Sequence, residues 1–330
     1  MLLAVLASAA LASGGAPPAC NASDDSAALA RARALVAPSA ELTHGGEYEG
    51  FDFWLDHAET LAAAWRAYGP RDPRLYAYDD AFRDAFVAPR ARALAAGVRA
   101  GATRERDALR ELFAEERGAR GVWRTRAPDA LLTASYRAAL LAELAHLGRS
   151  GVPLRRPNGM NRRGAILADV ALEPPLAALV DELVRPLAAA LFPAAIGAGD
   201  AAELYAFAVR YDHPDDAPAG DAALDEHRDA AVATLNVCLG PAGGALLFGP
   251  ADGSGERGAA ARRVELAPGD AIVHLGAQRH AATPHAARGE ARSNLIVWLF
   301  GEGGYVRFAP YDEAEQLSAA ERWGSDLARA

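Results

Sequence analysis

Between Leu204 and Phe300 the chain breaks into short runs of β-forming residues separated by turn residues, and no other feature narrows the fold as much. Leu204–Tyr211, Val232–Leu239, Ala245–Phe248, Arg263–Leu266, Ala271–Leu275 and Arg292–Phe300 read as strands. So many short strands packed into about 100 residues imply a sandwich or jelly roll, because a sheet must bury one face against a second layer.

The first half has a different texture. From about Asp52 to Leu147 apolar residues recur at helical spacing, as in Trp54, Leu55, Ala58, Leu61, Ala62 and Trp65 and again over Leu131 to Leu147. Pro70, Pro73, Pro89 and Gly101 interrupt the pattern, so it predicts several short helices. Trp54, Trp65, Trp123 and Tyr136 read as core or interface anchors of this half. The segment from Gly151 to Gly164, GVPLRRPNGMNRRG, reads as a structured loop with a basic face, and a helix is predicted over Pro175 to Phe192. The tail returns to helix-forming composition. The expected layout is a mainly helical region over 21–165, a β domain over 166–302 and a helical tail over 303–330.

Hydrophobic residues at 51% and charged residues at 23% are ordinary for a folded protein with a substantial core. The 34 basic and 43 acidic residues give a net charge of −9, which argues against a nucleic-acid partner. Every basic residue is Arg. Cys20 and Cys238 are the only cysteines, too few for a disulfide framework or a cysteine-only metal site. Residues 1–16 open with MLLAVLASAALA, an apolar run long enough for a signal-peptide core but short of the roughly 20 residues of a bilayer-spanning helix. They predict the secretory pathway, ER lumen or exterior, and a cytoplasmic protein if the run is only an Ala-rich tail. No other stretch reads as transmembrane, so no integral membrane segment is expected after cleavage.

Chemistry concentrates near the strand that starts at Val232. His227-Arg228-Asp229 leads into it, and residues two apart on an extended segment face one way, so an imidazole and a carboxylate would converge. A second His-x-Asp, His213-Pro214-Asp215, sits in a polar Pro-containing run and reads as a surface loop. A third ligand would come from His274, His280 or His285. Two His and one carboxylate leave three octahedral positions open, the arrangement of non-haem Fe(II) oxygenases, whereas zinc favours a tetrahedral shell. A chelating 2-oxo diacid would need a cation at its far end. Arg292, which opens the apolar run RSNLIVWLF, is the candidate. His274 reads as a strand histidine that hydrogen-bonds near the site, His285 as a surface residue, and Cys238 as buried and inert although it shares a strand face with Thr234 and Asn236.

Several blocks occur together and in order: Arg155 to Asn161 (RRPNGMN), Arg185-Pro186-Leu187, Leu191-Phe192-Pro193, Phe207 to Tyr211 (FAVRY), Gly220 to Asp229 (GDAALDEHRD), Thr234 to Gly240 (TLNVCLG), Gly243 to Phe248 (GGALLF), Pro268-Gly269-Asp270, His280 to Pro284 (HAATP) and Arg292 to Trp298 (RSNLIVW). Over roughly residues 150–300 the sequence resembles the 2-oxoglutarate and Fe(II)-dependent oxygenases of the prolyl 4-hydroxylase and lysyl hydroxylase branch, notably the 2-oxoglutarate and iron-dependent oxygenase domain-containing proteins. The resemblance implies an α+β protein in which a helical amino-terminal region packs on a double-stranded β-helix, or jelly roll. It implies that His227, Asp229 and His280 hold Fe(II), that Arg292 grips the distal carboxylate of 2-oxoglutarate with Tyr211 lining the pocket, and that ascorbate keeps the iron reduced. The reaction it implies spends O2 and 2-oxoglutarate, releases succinate and CO2, and hydroxylates an unactivated C–H bond, first of all in a prolyl or lysyl side chain of a protein or peptide. A small-molecule oxygenase and a non-catalytic β-helix binding module are the competing classes. Ala281 stands where a Gly usually follows the distal ligand, and the spacing from His280 to Arg292 is two residues longer than usual, which makes Arg288 the rival of Arg292.

Overall fold

The computed structural model describes residues 69–101, 105–147, 164–167, 170, 172–196, 204–214, 222–249, 261–300, 305–307 and 316–318. The amino-terminal apolar run, Cys20, Trp54, Trp65 and the segment from Gly151 to Arg163 lie outside them.

Short helices come first, each with a local cause. Asp72 caps the 3-10 turn Pro73–Tyr76 by accepting from the Arg74 N–H. Asp79 does the same for α1 (Asp80–Phe86), its Oδ1 accepting from the Phe82 N–H at 2.9 Å. Pro89 sits in the first turn of α2 (Pro89–Arg99), where its missing N–H removes nothing, and Gly101 at φ +73° ends that helix. After α3 (Glu105–Leu112) come β1 (Phe113–Glu115) and β2 (Val122–Thr125), then α4 (Ala134–Leu147), then β3 (Gly164–Ile166). The helix expected over Pro175 to Phe192 is present as α5 (Glu173–Leu179), a π turn (Val180–Val184) and α6 (Arg185–Leu191).

The remaining strands are β4 (Leu204–Asp212), β5 (Leu224–His227), β6 (Ala233–Gly240), β7 (Ala245–Phe248), β8 (Arg262–Glu265), β9 (Ala271–Leu275), β10 (His280–Ala282) and β11 (Ala291–Leu299). They form two antiparallel sheets, one ordered β1-β2-β9-β6-β11-β4-β3 and one ordered β5-β10-β7-β8. The chain crosses between the sheets after β4, β5, β6, β8, β9 and β10, the winding of a double-stranded β-helix, so the protein is an α+β jelly roll.

The large sheet is buried on both faces, which explains why β11 reads as an unbroken apolar run. Leu235, Val237, Leu239, Val273, Leu295, Val297 and Leu299 pack with the helices, including Phe82, Phe86, Tyr136 and Leu187. The alternate residues, among them Phe207, Val209, Tyr211, Cys238, Ile272, Ile296 and Trp298, line the space between the sheets with Leu246 and Phe248. Trp123 and Tyr136 serve the helical core as expected.

Several expectations need correction. The helical half also supplies β1, β2 and β3, which extend the large sheet at both edges. β5 and β10 escape sequence reading because one is a charged four-residue stretch and the other is three residues long. The tail, expected to be helical, contains the antiparallel strands β12 (Tyr305–Arg307) and β13 (Gln316–Ser318), and Tyr305-Val306 is a pair suited to a strand. His285, expected at the surface, is buried: its Nε2–H donates to the Ala242 carbonyl at 3.0 Å, its Nδ1 accepts from the Ala287 N–H, and Gly243 leaves room for its ring.

Candidate metal centre

β5 and β10 place His227 and His280 directly opposite each other in register, with ring centroids 4.2 Å apart. Asp229 follows two residues after His227, in the connection to β6, where its N–H donates to the Gly276 carbonyl at 3.0 Å. That contact needs a glycine, because a Cβ at 276 would lie 2.7 Å from the carbonyl carbon of Ala231. His227, Asp229 and His280 each offer one ligand atom, and these atoms all lie within 4.8 Å of one another.

Each imidazole is oriented by a backbone carbonyl. Nδ1 of His227 meets the Asp225 carbonyl at 2.7 Å and Nδ1 of His280 meets the Gln278 carbonyl at 3.0 Å. A carbonyl only accepts, so Nδ1 carries the proton and the Nε2 lone pair of each ring is free to face a cation. The two Nε2 atoms stand 3.6 and 3.7 Å from Oδ1 of Asp229, too far for hydrogen bonds. Ligands at about 2.1 Å from one ion and at right angles would stand about 3 Å apart, so these atoms would draw in by somewhat more than half an ångström around a shared metal. Burial pushes the pKa of His280 down to about 3, which keeps it neutral. Burial opposes charge on Asp229 as well, but the imidazoles of His280 and His227 outweigh it and hold its pKa well below the usual carboxylate range. Burial opposes charge on His227 too, but the Asp229 carboxylate outweighs it and raises its pKa, a proton that a bound cation would displace. Two imidazoles and an ionised carboxylate are a donor set that fits iron. Phe248 stacks on His280 from β7 at 5.8 Å.

His274 lies beside this cluster on β9, fully buried, with Nδ1 on the Leu275 carbonyl at 2.9 Å and Nε2 3.8 Å from Oδ2 of Asp229. His274 is thus the strand histidine expected beside the site, hydrogen-bonded through Nδ1, while its Nε2 has no hydrogen-bond partner. Thr234, not singled out from sequence, donates its hydroxyl to the same Oδ2 at 2.5 Å.

At another part of the inner face, Arg292 is fully buried. Its guanidinium lies 4.7 Å from the Tyr211 ring centre, Nη2 reaches the Thr283 carbonyl at 3.4 Å, and Nε and Nη1 have no hydrogen-bond partner. A Cβ at Gly244 would come within 2.8 Å of Cζ, so the absent side chain leaves the guanidinium its room. Arg288 is exposed on the loop before β11. A buried cation with open donors is costly unless an anion completes it, and a carboxylate is the matching partner. Between Arg292 and Thr234 the inner face carries Asn294, whose amide donates to Asn236 at 2.6 Å.

Cys238 is free and buried, and burial pushes its thiol up to about 11, as an inert core cysteine requires. His213 lies at the end of β4, outside the cluster, and Asp215 falls outside the described residues. No helix among the described residues is long and apolar enough to cross a membrane.

Comparison with known proteins bears on this geometry. The OGFOD2-like domain matches residues 65–197, the helical half and β3, and stops before the metal cluster. The human 2-oxoglutarate and iron-dependent oxygenase domain-containing protein 2 is 40% identical over 172 residues, 51% of this chain and 47% of its own. The Arabidopsis thaliana 2-oxoglutarate and iron-dependent oxygenase domain-containing protein ICU11 is 33% identical over 170 residues, 48% of this chain and 41% of its own. The chain thus spans about half the length of the curated relatives it matches. Among solved structures, the alpha-ketoglutarate-dependent epimerase SnoN from nogalamycin biosynthesis overlays with a TM-score of 0.42 at 18% identity, over 63% of this chain and 88% of that one. Residues 65–197 match an OGFOD2-like domain, and over about half its length the chain is similar to the 2-oxoglutarate and iron-dependent oxygenase domain-containing proteins.

Proposed function

We propose that this chain is an Fe(II)- and 2-oxoglutarate-dependent dioxygenase that hydroxylates an unactivated C–H bond, releasing succinate and CO2. The observation that carries the reading is the joint presence, between the two sheets, of the His227, Asp229 and His280 cluster and the buried, incompletely bonded guanidinium of Arg292. A binding module has no use for both. In this reading residues 166–302 are the dioxygenase unit, and the described helices of the region before it pack on the outer face of its large sheet.

The division of labour follows from the geometry. His227 and His280 present Nε2, Asp229 supplies the charge, and Arg292, backed by Tyr211, receives the far carboxylate of the co-substrate. Arg292 reaches the Thr283 carbonyl, just past the strand that carries His280, so the guanidinium and the histidine cluster are served by one stretch of chain. Iron, when bound, activates O2, and ascorbate is the reductant expected to keep it ferrous. The chain's own part is to hold the co-substrate, keep three coordination positions clear and exclude water from the inner face.

For the prime substrate we propose a prolyl or lysyl side chain of a protein or peptide, the chemistry of the branch that the sequence blocks resemble. A panel of Pro- and Lys-containing peptides, incubated with Fe(II), 2-oxoglutarate and ascorbate and read by a mass gain of one oxygen, tests this. Oxidation of a small molecule with no peptide modified would replace that substrate with the small-molecule alternative.

A further inference from the structure

The two oxygens of Asp229 have different surroundings. Oδ1 faces the Nε2 atoms of His227 and His280 at 3.6 and 3.7 Å. Oδ2 turns the other way, toward Thr234 and His274, which are direct cross-strand partners on β6 and β9. All three of these side chains are buried. The Thr234 hydroxyl donates to Oδ2 at 2.5 Å, the length of a strong charge-assisted hydrogen bond. His274 cannot take that role while neutral, since Nδ1 gives its proton to the Leu275 carbonyl and Nε2 then offers a lone pair. The rotation of a carboxylate about its last torsion is otherwise soft, so a single short bond decides which oxygen points where.

We propose that Thr234 is a positioning residue for the metal centre: its hydroxyl captures Oδ2 of Asp229, so that Asp229 ligates through Oδ1 alone and does not close a second coordination position. This rests on the reading of His227, Asp229 and His280 as the metal ligands. A carboxylate free to rotate would bind through both oxygens and take one of the positions that the co-substrate and O2 require. Thr234 therefore acts on Asp229 and touches neither the metal nor substrate. The sequence alone gave no signal for it beyond a hydroxyl residue on the inner face of an otherwise apolar strand.

The test compares Thr234→Val, which keeps the branched shape and loses the hydroxyl, with Thr234→Ser, which keeps the hydroxyl and loses a methyl group. Thr234→Ala serves as a second hydroxyl-free variant. Anaerobic titration of the full-length protein with Co(II), followed by visible absorption, reads both affinity and coordination geometry. The expected result is a loss of about 10- to 100-fold in Co(II) affinity with a changed band shape in Val and Ala, and affinity and spectrum near the parent in Ser. Parent-like binding and spectrum in Val would overturn the proposal and leave the metal site intact. Equal weakening in Val and Ser would overturn it in favour of a packing role. If the parent binds no Co(II), the metal reading itself fails and the proposal falls with it.

Discussion

The guanidinium of Arg292 stacks 4.7 Å from the ring centre of Tyr211, its direct cross-strand partner on β4, and is fully buried with two of its nitrogens unbonded. Tyr211 gives the cation a face to rest on, worth about 0.5–2 kcal/mol, without supplying the carboxylate that a buried Arg ordinarily needs.

Arg292→Met should therefore trade function for stability. It removes a buried cation whose pKa burial pushes down, so the ligand-free protein should melt at a higher temperature. Its apparent affinity for 2-oxoglutarate should fall by about 10- to 100-fold, as loss of a charged hydrogen-bond pair requires. Arg288→Ala, altering an exposed residue, should leave both unchanged. The reverse ranking in a calorimetric titration would move the role to Arg288.

Gly244→Ala tests the same subsite from the other side. Its Cβ would crowd the guanidinium, 2.8 Å from Cζ, so the KM for 2-oxoglutarate should rise at least several-fold while iron content stays that of the parent. Unchanged KM would mean that the guanidinium has room to move aside.

Much of this layout is legible in the sequence. The runs that become β4, β6, β7, β9 and β11 show period-2 patterning or a continuous apolar character that reads correctly, and the blocks around His227 and His280 mark the two ends of the cluster. β5 and β10 are not legible, although they set the two histidines in register, because short strands with charged or small residues carry no periodic signal. The burial of His285 under Gly243 and the pairing of Thr234 with Asp229 are tertiary events between residues that look unremarkable in isolation. Between Arg288 and Arg292 sequence spacing left a choice, and burial separates them.

Acid should weaken the ligand-free fold in a defined window. The buried His280 has its pKa depressed from 6.5 to about 3, and that of His274 is lowered too, both by desolvation. The unfolded chain takes up these protons first, so what these two histidines contribute to stability is full above about pH 6.5 and declines as pH falls toward 3, against a smaller opposite contribution from His227, whose pKa is raised. Chemical denaturation at a series of pH values should show this slope, and His274→Gln should flatten it. An unchanged slope in that variant would remove His274 from the account.

The helical layer has its own anchor. Phe82 packs against Tyr78, Phe86 and Tyr136 with ring centroids 5.0, 5.1 and 6.0 Å away. Phe82→Ala should cost about 3–5 kcal/mol of unfolding free energy. The cluster of His227, Asp229 and His280 lies on the other side of the large sheet, so iron bound per folded molecule should not change. A loss of iron in the folded variant would show that the helical layer supports the site directly.

The central claim is tested most directly by succinate release from 2-oxoglutarate, using anaerobically purified protein supplied with Fe(II), ascorbate and air and no prime substrate. The account predicts slow turnover that disappears in His227→Ala. Iron-loaded protein that forms no succinate above the His227→Ala background would contradict it.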